Sequence, residues 1–362
     1  VLGVGQVNAQ ALQLAEAHVA DDFSGPIQRS RQLIREIMET QGVPGASVAV
    51  GIGGEVVWSE GFGWANIEQG VPVTTLTKFR IGSVSKTMTA SAVGLLIERG
   101  LLDLDVPVQA YVPDFPEKRW PITTRQLGGH IAGVRHYRGM EMLSSRHYPT
   151  VDSGLEIFAE DSLLFEPETD YSYSSYGWNL LSAVLESASG EEFLGFMRDE
   201  VFEPLGLRHT VPDHNDSIVV HRAEFYEAGE DGAILNAPYV DNSYKWAGGG
   251  FLSTPEDLVR FGQAHMQPGF LTEETLRTIQ MPQTLRDGES TDYGIGWRTG
   301  YQEDGDRTLG HSGGSVGGTT LLILVPEHDL VVAGVVNISG PAALIVSELA
   351  QIFEDYLEGG RD

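Results

Sequence analysis

Strand-forming segments lie near both ends of this chain, and that distribution constrains its fold more than any other feature. Residues 46–58 form two apolar strands around Gly53-Gly54, a pair typical of a hairpin turn. Residues 319–325 and 330–336 form a second hairpin around a Pro-Glu-His-Asp turn. Hairpins build antiparallel sheets, and an apolar sheet face needs helices to cover it. Both ends of the chain are therefore predicted to share one antiparallel sheet.

Helical patterns fill the segments between and beside these strands. They occur at 27–41, 79–100, 124–128, 152–159, 176–189, 191–202, 255–264 and 342–357. We predict an α/β (α+β) fold in which an antiparallel sheet flanked by helices carries an inserted all-helical lobe. The sheet lobe is assigned to 27–76 and 250–362, and the mainly helical lobe to 77–249. Residues 1–26 are predicted to be a loosely attached leader with one helix at 9–19.

Composition limits the partners and the chemistry. The chain of 362 residues has 51 acidic and 23 basic side chains, a formal charge of -28. Such a charge repels nucleic acid and anionic membranes, and no apolar run is long enough to span a bilayer. The absence of cysteine excludes disulfides, thiolate catalysis and cysteine-ligated metals. The first residue is Val1, so a signal peptide removed earlier would leave no trace, and the compartment stays open.

The segment 79–100 contains Ser83 and Lys86 at S-x-x-K spacing. Residues three apart share a helix face, so the lysine amine can lie beside the serine hydroxyl, which needs a base to act as a nucleophile. The helix start also offers unpaired N–H groups to a developing oxyanion. A serine cap followed by a solvated lysine would give the same pattern. Lysine occurs at only four positions, however, so a chance match is improbable.

A second motif, Tyr173-Ser-Ser175, lies in a hydroxyl-rich loop before the helix at 176–189. An ammonium lowers the pKa of a nearby phenol, because opposite charge favours the ionised form. Tyr173 is therefore predicted to relay protons as general base and acid beside the serine–lysine pair. Ordinary packing of a tyrosine at a domain junction is an equal alternative on this motif alone.

A third motif, H-S-G-G, lies on a predicted strand whose glycines admit a ligand along the strand edge. The N–H groups of Gly314 and Ser83 are predicted to form a two-donor oxyanion hole. His311 is predicted to orient a substrate carboxylate or a general-acid water, with Ser175, Ser312 and Gly313 as further substrate-binding residues. A glycine-rich turn between strands would have the same composition.

A later aromatic and glycine-rich stretch contains Tyr244 and Trp246. These side chains are predicted to line the substrate pocket, with plain packing between lobes as an equally weighted alternative. His130, His136 and His147 lack metal-ligand spacing on one helix face, so no metal site is predicted. The glycine clusters precede hairpins instead of helices, which excludes a dinucleotide-binding fingerprint.

In their order and spacing, the three motifs resemble those of the serine β-lactamase and penicillin-binding-protein superfamily. They are Ser83-Val-Ser-Lys86, Tyr173-Ser-Ser175 and His311-Ser-Gly313. The similarity is to the class C-like branch, peptidase family S12, and within it to the mitochondrial serine β-lactamase-like group and its bacterial relatives. The resemblance implies a helix-flanked sheet, a helical lobe and an active site between them, with no cofactor. By position it makes Ser83 the acylated nucleophile, Lys86 its activator and Tyr173 the proton shuttle.

Two positions depart from the family pattern. Ser175 stands where the second motif usually ends in asparagine, so a side-chain amide contact to substrate is shortened or lost. His311 stands where the third motif usually begins with lysine, and histidine is mostly neutral near pH 7. Both changes weaken the expectation of an efficient β-lactamase and favour the peptidase-like and esterase-like members.

The sequence thus predicts a serine acyl hydrolase that works through an acyl-serine intermediate, acting as a peptidase or amidase on short peptides or other small molecules. A carboxylesterase or weak β-lactamase is the alternative among enzymes. An assembly-forming scaffold with a vestigial site is the alternative of another class. No nucleic acid and no membrane span are expected. The resemblance favours a homo-oligomer and, if a signal peptide preceded Val1, an exported protein.

Overall fold

The computed structural model describes residues 17–230, 232–301, 305–340 and 343–359. Most of the helix predicted at 9–19 lies outside these ranges. At its described end, His18 and Val19 form a strand that pairs with Ser59 and Trp58, so the prediction of a helix is wrong there. None of the described helices is both long enough and apolar enough to cross a membrane.

The strands and helices are numbered here in chain order. The strands are β1 (His18–Val19), β2 (Gly45–Ile52), β3 (Glu55–Asn66), β4 (Val71–Pro72), β5 (Phe79–Arg80), β6 (Val211–Pro212), β7 (Tyr226–Ala228), β8 (Ile234–Asn236), β9 (Phe251–Ser253), β10 (Arg298–Tyr301), β11 (Arg307–Ser315), β12 (Gly318–Val325) and β13 (Leu330–Val336). The α-helices are α1 (Ser24–Gln41), α2 (Ser85–Glu98), α3 (Thr124–Gly128), α4 (Val151–Leu155), α5 (Ser175–Ser189), α6 (Phe193–Phe196), α7 (Trp246–Gly249), α8 (Pro255–Met266), α9 (Glu273–Gln280) and α10 (Ala343–Glu358).

The main sheet confirms the prediction that both ends of the chain share it. Its strand order is β1-β3-β2-β13-β12-β11-β10, with β4 paired to β3. Every pair in it is antiparallel. The middle of the chain is mainly helical, but the short strands β5 to β8 also lie there, so the prediction of an all-helical lobe is too simple. The lobe boundaries at 76/77 and 249/250 stay a prediction.

Alternation along the central strand β13 divides the core into two layers. Val331 and Ala333 face one hydrophobic cluster, which includes residues of α2, α5 and α8. Val332 and Val336 face the other, which includes residues of α1 and α10. Successive side chains of a strand point to opposite faces, so a continuous apolar run is buried on both sides. Burying each such side chain stabilises the fold by about 1.5–3 kcal/mol, which anchors the sheet and its edge at β11.

Helix α2 is buried on nearly all sides, between the sheet and the helical segment. A 3₁₀ turn at Gly82–Val84 leads directly into it. Two of its buried hydroxyls bond to the preceding turn: Thr87 donates to the Val84 carbonyl at 2.8 Å, and Thr89 to the Ser85 carbonyl at 3.0 Å. A helix surrounded by protein cannot rotate or slide freely, so α2 fixes the side chains of its first turn in space.

Candidate active site

Ser83 and Lys86 lie together in the structure at the start of α2. The Lys86 Nζ is 3.2 Å from the Ser83 Oγ. Nζ also donates to the Gly248 carbonyl at 2.6 Å and to the Ser175 Oγ at 3.2 Å. Ser83 is half-buried and Lys86 fully buried. Two motifs that are remote in the sequence therefore meet at one amine, and the serine beside it is partly exposed.

The environment of Lys86 favours its uncharged form. Burial first, and then the positive charges of Lys245 and Arg298, hold the pKa of Lys86 well below its usual value of 10.5. Desolvation penalises an ammonium, and neighbouring cations add to that penalty. A neutral amine at hydrogen-bond distance from a serine hydroxyl can take its proton, which is what a nucleophilic serine requires.

Tyr173 is the third motif residue at this site. Its ring centroid lies 4.8 Å from the Lys86 Nζ. The phenol oxygen is buried and makes no well-aligned hydrogen bond with any described residue, although its interaction with the Ser83 hydroxyl is close enough to lower the tyrosine pKa in part. Burial outweighs that effect and raises the pKa of Tyr173 above its usual value of 10.0.

The expectation that Tyr173 ionises easily is therefore not met: the positive charge of Arg298 lowers its pKa, but burial raises that pKa by more. Burial disfavours the phenolate, and the same burial biases Lys86 towards its neutral form. A phenol that keeps its proton is suited to donate it to a leaving group. The structure thus favours Tyr173 as an acid at rest over Tyr173 as a pre-ionised base.

The free edge of β11 runs beside the turn that carries Ser83. Strand β10 pairs with β11 only as far as Gly310, so within the described part of the chain 311–315 have no strand partner on that side. A Cβ on Gly313 would lie 2.0 Å from the Ile81 carbonyl oxygen, and one on Gly82 would lie 2.6 Å from the Gly314 carbonyl oxygen. These glycines are required because the two backbones approach more closely than any side chain allows.

The side-chain direction of Gly314 is open. A Cβ there would meet no atom of the described residues within 4 Å. A cleft of about 470 Å³ opens at this point and is lined by Ser312, Gly313, Gly314 and Ser315 among others. The oxyanion hole of Ser83 and Gly314 N–H groups stays a prediction, which this close approach and open space support.

His311 has contacts that conflict with a direct role in binding substrate. It is 2% exposed. Its Nδ1 donates to the Ser312 carbonyl at 2.5 Å, so its Nε2 accepts from the Tyr293 hydroxyl at 2.8 Å. Burial, and then the charge on Lys86, lower the pKa of His311 to about 3. A neutral imidazole with both nitrogens engaged has no group left for a substrate carboxylate.

The other predicted substrate residues separate into two groups. Ser312 and Gly313 line the cleft beside the nucleophile. Ser175 contacts the Lys86 amine from inside the protein and is 3% exposed. Tyr244 is buried and donates its hydroxyl to the Glu141 carbonyl at 3.1 Å, while Trp246 is 8% exposed at the start of α7. For Tyr244 the contacts favour the packing alternative. Trp246 does line a cavity, but one whose lining includes none of Ser83, Lys86 and Tyr173.

Two cationic side chains at the site were not predicted. Arg298, on β10, lies with its guanidinium 5.9 Å from the Tyr173 ring centroid and 5.3 Å from that of Tyr293. Among the described residues, no carboxylate forms an ion pair with it. Lys245 is buried, and burial together with the charge of Arg80 lowers its pKa to about 7. The scarcity of lysine was a signal that could have drawn attention to Lys245; Arg298 gave none.

A larger cavity lies elsewhere. It has a volume of about 1110 Å³ and is lined by residues of α4 and α5, including the carboxylates Asp152, Glu186 and Glu192. None of the three catalytic candidates lines it. Cavity volume therefore does not identify the active site of this protein. The candidate site is identified by the meeting of Ser83, Lys86 and Tyr173.

Comparison with known proteins agrees with this geometry. Residues 30–355 match the family described as Beta-lactamase. The mitochondrial serine beta-lactamase-like protein LACTB of Mus musculus is 32% identical, over 93% of this chain and 80% of that protein. Penicillin-binding protein 4* of Bacillus subtilis is 28% identical, over 83% of this chain and 70% of that protein. The octameric penicillin-binding protein homologue from Pyrococcus abyssi superposes with a TM-score of 0.79 at 26% identity, over 91% of this chain and 77% of that one. The chain therefore belongs to the beta-lactamase family of serine acyl hydrolases.

Proposed function

We propose that this protein is a serine peptidase or amidase that acylates Ser83 and acts on short peptides or other small amides bearing a carboxylate. One observation carries the proposal. A fully buried amine with a lowered pKa, that of Lys86, lies 3.2 Å from the hydroxyl of the half-buried Ser83. This is the arrangement that an acyl-serine mechanism needs, since the base is in contact with the nucleophile before substrate arrives.

Acylation follows from the contacts at Ser83. The neutral Lys86 amine takes the hydroxyl proton as the Ser83 Oγ attacks the substrate carbonyl carbon. The carbonyl π electrons move to oxygen, and that oxyanion is held by the N–H groups of Ser83 and Gly314. Each such donor is worth about 2.7–4 kcal/mol in the transition state. As the C–N bond breaks, Tyr173 donates its proton to the leaving amine and recovers one from the Lys86 ammonium.

Deacylation reverses the proton path with water in place of the amine. A water molecule gives its proton to the neutral Lys86 amine as its oxygen attacks the ester carbonyl. The tetrahedral intermediate uses the same two N–H donors. When it collapses, the Ser83 Oγ leaves and is reprotonated, which restores the neutral Lys86 and the free acid product. Both half-reactions balance without any group other than substrate, water and these side chains.

The proposed carboxylate site is Arg298 instead of His311. The guanidinium lies beside the ring of Tyr173, where the leaving-group side of a substrate would lie, and among the described residues it has no carboxylate partner. Its positive charge reaches the Lys86 amine, whose pKa it lowers. A guanidinium binds a carboxylate in a planar, two-pronged manner. We therefore assign to Arg298 the role that a lysine of the third motif fills in related enzymes.

A labelling experiment tests the proposal. The protein is exposed separately to a fluorophosphonate and to a penicillin, and the adducts are located by mass spectrometry. We expect a covalent adduct on Ser83 that is abolished in Ser83→Ala and unchanged in Ser187→Ala, an exposed serine on α5. A scaffold with a vestigial site would show no adduct in the parent. Turnover of p-nitrophenyl esters, D- and L-aminoacyl amides and nitrocefin then separates an amidase from an esterase or a β-lactamase.

A homo-oligomer stays part of the proposal. Its support is the octameric penicillin-binding protein homologue, which superposes on this chain at 26% identity. Light scattering coupled to size exclusion measures the assembly directly. A monomer at all concentrations would refute this part without affecting the chemistry.

A further inference from the structure

His130 contacts the segment around Tyr173 on three sides. The His130 carbonyl accepts the Ser172 N–H at 3.0 Å. Its side-chain Nδ1 accepts the Ser174 N–H at 3.1 Å. The imidazole also packs against the Tyr173 ring, with centroids 4.2 Å apart. One residue therefore binds the backbone immediately before and after Tyr173 and covers its ring.

The conformation of His130 is unusual for its residue type. Its φ is +63°, in the left-handed region, and the residue is 2% exposed. Left-handed backbone at a non-glycine residue costs free energy and persists where the surrounding contacts require it. Here the contacts are those to Ser172 and Ser174, because both depend on the direction in which His130 presents its carbonyl and its ring.

The tautomer of His130 follows from its acceptor role. A nitrogen that accepts the Ser174 N–H carries no proton, so the ring proton lies on Nε2. A protonated ring would place two N–H groups against each other. Burial, and then the charge on Lys86, hold the pKa of His130 well below 6.5, which keeps the acceptor available.

Tyr173 depends on such contacts because its hydroxyl is weakly held. Among the described residues the buried hydroxyl makes no well-aligned hydrogen bond, although its interaction with the Ser83 hydroxyl lowers its pKa in part. The position of the phenol oxygen must therefore be set from the backbone and the ring face. We propose that His130 is a positioning residue that holds Tyr173 at the distance and angle needed for proton transfer to the leaving group. This inference rests on the proposed function, since it concerns the proton donor of that reaction.

A neighbouring histidine shows the same arrangement one residue later. The Ser175 N–H donates to the His136 Nδ1 at 3.1 Å. Successive backbone N–H groups, those of Ser174 and Ser175, are thus held by two imidazoles. His136 holds Ser175, which contacts the Lys86 amine, whereas His130 holds the backbone on both sides of Tyr173. Both histidines thus serve as acceptors for backbone N–H groups.

Two substitutions separate the acceptor from the rest of the side chain. His130→Asn keeps an acceptor oxygen in the place of Nδ1, and asparagine tolerates the left-handed backbone. His130→Gly relieves that backbone fully but removes both acceptor and ring. His265→Leu is the control, because it also deletes a fully buried histidine. His265, on α8, bonds the Ser91 hydroxyl of α2 and the Phe261 carbonyl of its own helix.

Turnover is measured on the best amide of the substrate panel and on the p-nitrophenyl ester of the same acyl group. We expect His130→Gly to lower amide kcat about 100-fold, the cost of a proton donor displaced by about 1 Å, and ester kcat far less, since p-nitrophenol leaves without protonation. His130→Asn retains the parent ratio of ester to amide turnover. His265→Leu lowers thermal stability without changing that ratio. In a Tyr173→Phe background, His130→Gly adds no further change in the ratio, because both act on one proton transfer.

Deuterium exchange supplies a readout that needs no substrate. The Ser174 amide is expected to be protected in the parent and in His130→Asn, and to exchange faster in His130→Gly. Equal losses of ester and amide turnover in His130→Gly, multiplicative effects with Tyr173→Phe, or unchanged exchange at Ser174 would each overturn the assignment. If the glycine variant does not fold, a folded His130→Asn variant with the ester-to-amide ratio of Tyr173→Phe overturns it instead. Failure of the parent to label at Ser83 refutes the proposed function and is a separate result.

Discussion

Replacing Lys86 by methionine is expected to lower the rate of Ser83 acylation far more than it changes the free energy of unfolding. Methionine matches the length of the lysine stem but has no amine. The Gly248 carbonyl loses the donor it now has at 2.6 Å, which costs about 1–3 kcal/mol for a buried acceptor. The change also removes a buried amine whose lowered pKa reports its desolvation. These effects oppose each other, so we expect the free energy of unfolding to change by about 2 kcal/mol or less.

Acylation is expected to fall far more than stability. Without the base that contacts its Oγ, Ser83 loses a factor of about 10²–10⁴ in rate. The assay is the rate of fluorophosphonate labelling at Ser83, followed by intact-protein mass spectrometry, with thermal unfolding measured on the same samples. Lys118→Met is the matched control, because Lys118 bonds the Ala159 and Asp161 carbonyls away from the cleft.

The pH dependence of labelling tests the same reasoning by its sign. The base form of Lys86 is the neutral amine, so the parent rate rises with pH as the ammonium deprotonates. Because the pKa of Lys86 is lowered, the rate reaches its plateau well below pH 10.5, the usual lysine value. Lys86→Met shows no such rise. Labelling of Lys86→Met at the parent rate, or a parent rate that falls as pH increases, would refute Lys86 as the base.

Three further outcomes follow from the site geometry. Tyr173→Phe is expected to lower amide turnover by about 10²–10⁴ while sparing p-nitrophenyl esters, and steady-state kinetics on acyl-matched pairs would contradict this if both fell alike. Arg298→Gln is expected to raise KM by about 10-fold or more for substrates with a free carboxylate and to leave amidated analogues unchanged, as the loss of a charge-assisted hydrogen bond of about 1.5–3 kcal/mol requires. Gly313→Ala places a Cβ 2.0 Å from the Ile81 carbonyl oxygen and is expected to cost about 1–3 kcal/mol in urea unfolding, whereas Gly195→Ala, with open space at its Cβ, is the control.

The sequence predicted what depends on local pattern. The hairpin of β12 and β13 and the exact span of α3 were recognisable from turn residues and apolar periodicity. Ser83 and Lys86 could be paired because three-residue spacing on a helix fixes their separation. Helix α9 was not predicted, although its sequence is amphipathic and begins after Thr272, which caps it. The predicted helix at 191–202 is in fact α6 followed by a π-helical segment, Met197–Phe202.

The roles that were misjudged depend on burial, which no local pattern reveals. His311 was expected to face substrate because its motif does so in relatives, but its ring is turned inward to Tyr293 and the Ser312 carbonyl. Tyr173 was expected to ionise easily because only its charged neighbour was considered. Arg298 could not be found at all, since whether a strand residue points into a cleft depends on which strand ends beside it. Long-range packing decides each of these cases.

A substrate carboxylate bound to Arg298 is expected to change the pKa of Lys86. Positive charge on Arg298 lowers the pKa of Lys86 in the free enzyme. A carboxylate bound to Arg298 neutralises that charge, so the pKa of Lys86 rises in the complex and the amine becomes a stronger base. Since activity needs the neutral amine, the rising limb of kcat, which reports the complex, should lie at higher pH than that of kcat/KM, which reports the free enzyme. With an amidated substrate, or in Arg298→Gln, the two limbs should coincide; a separation that persists in either case would show that the carboxylate acts elsewhere.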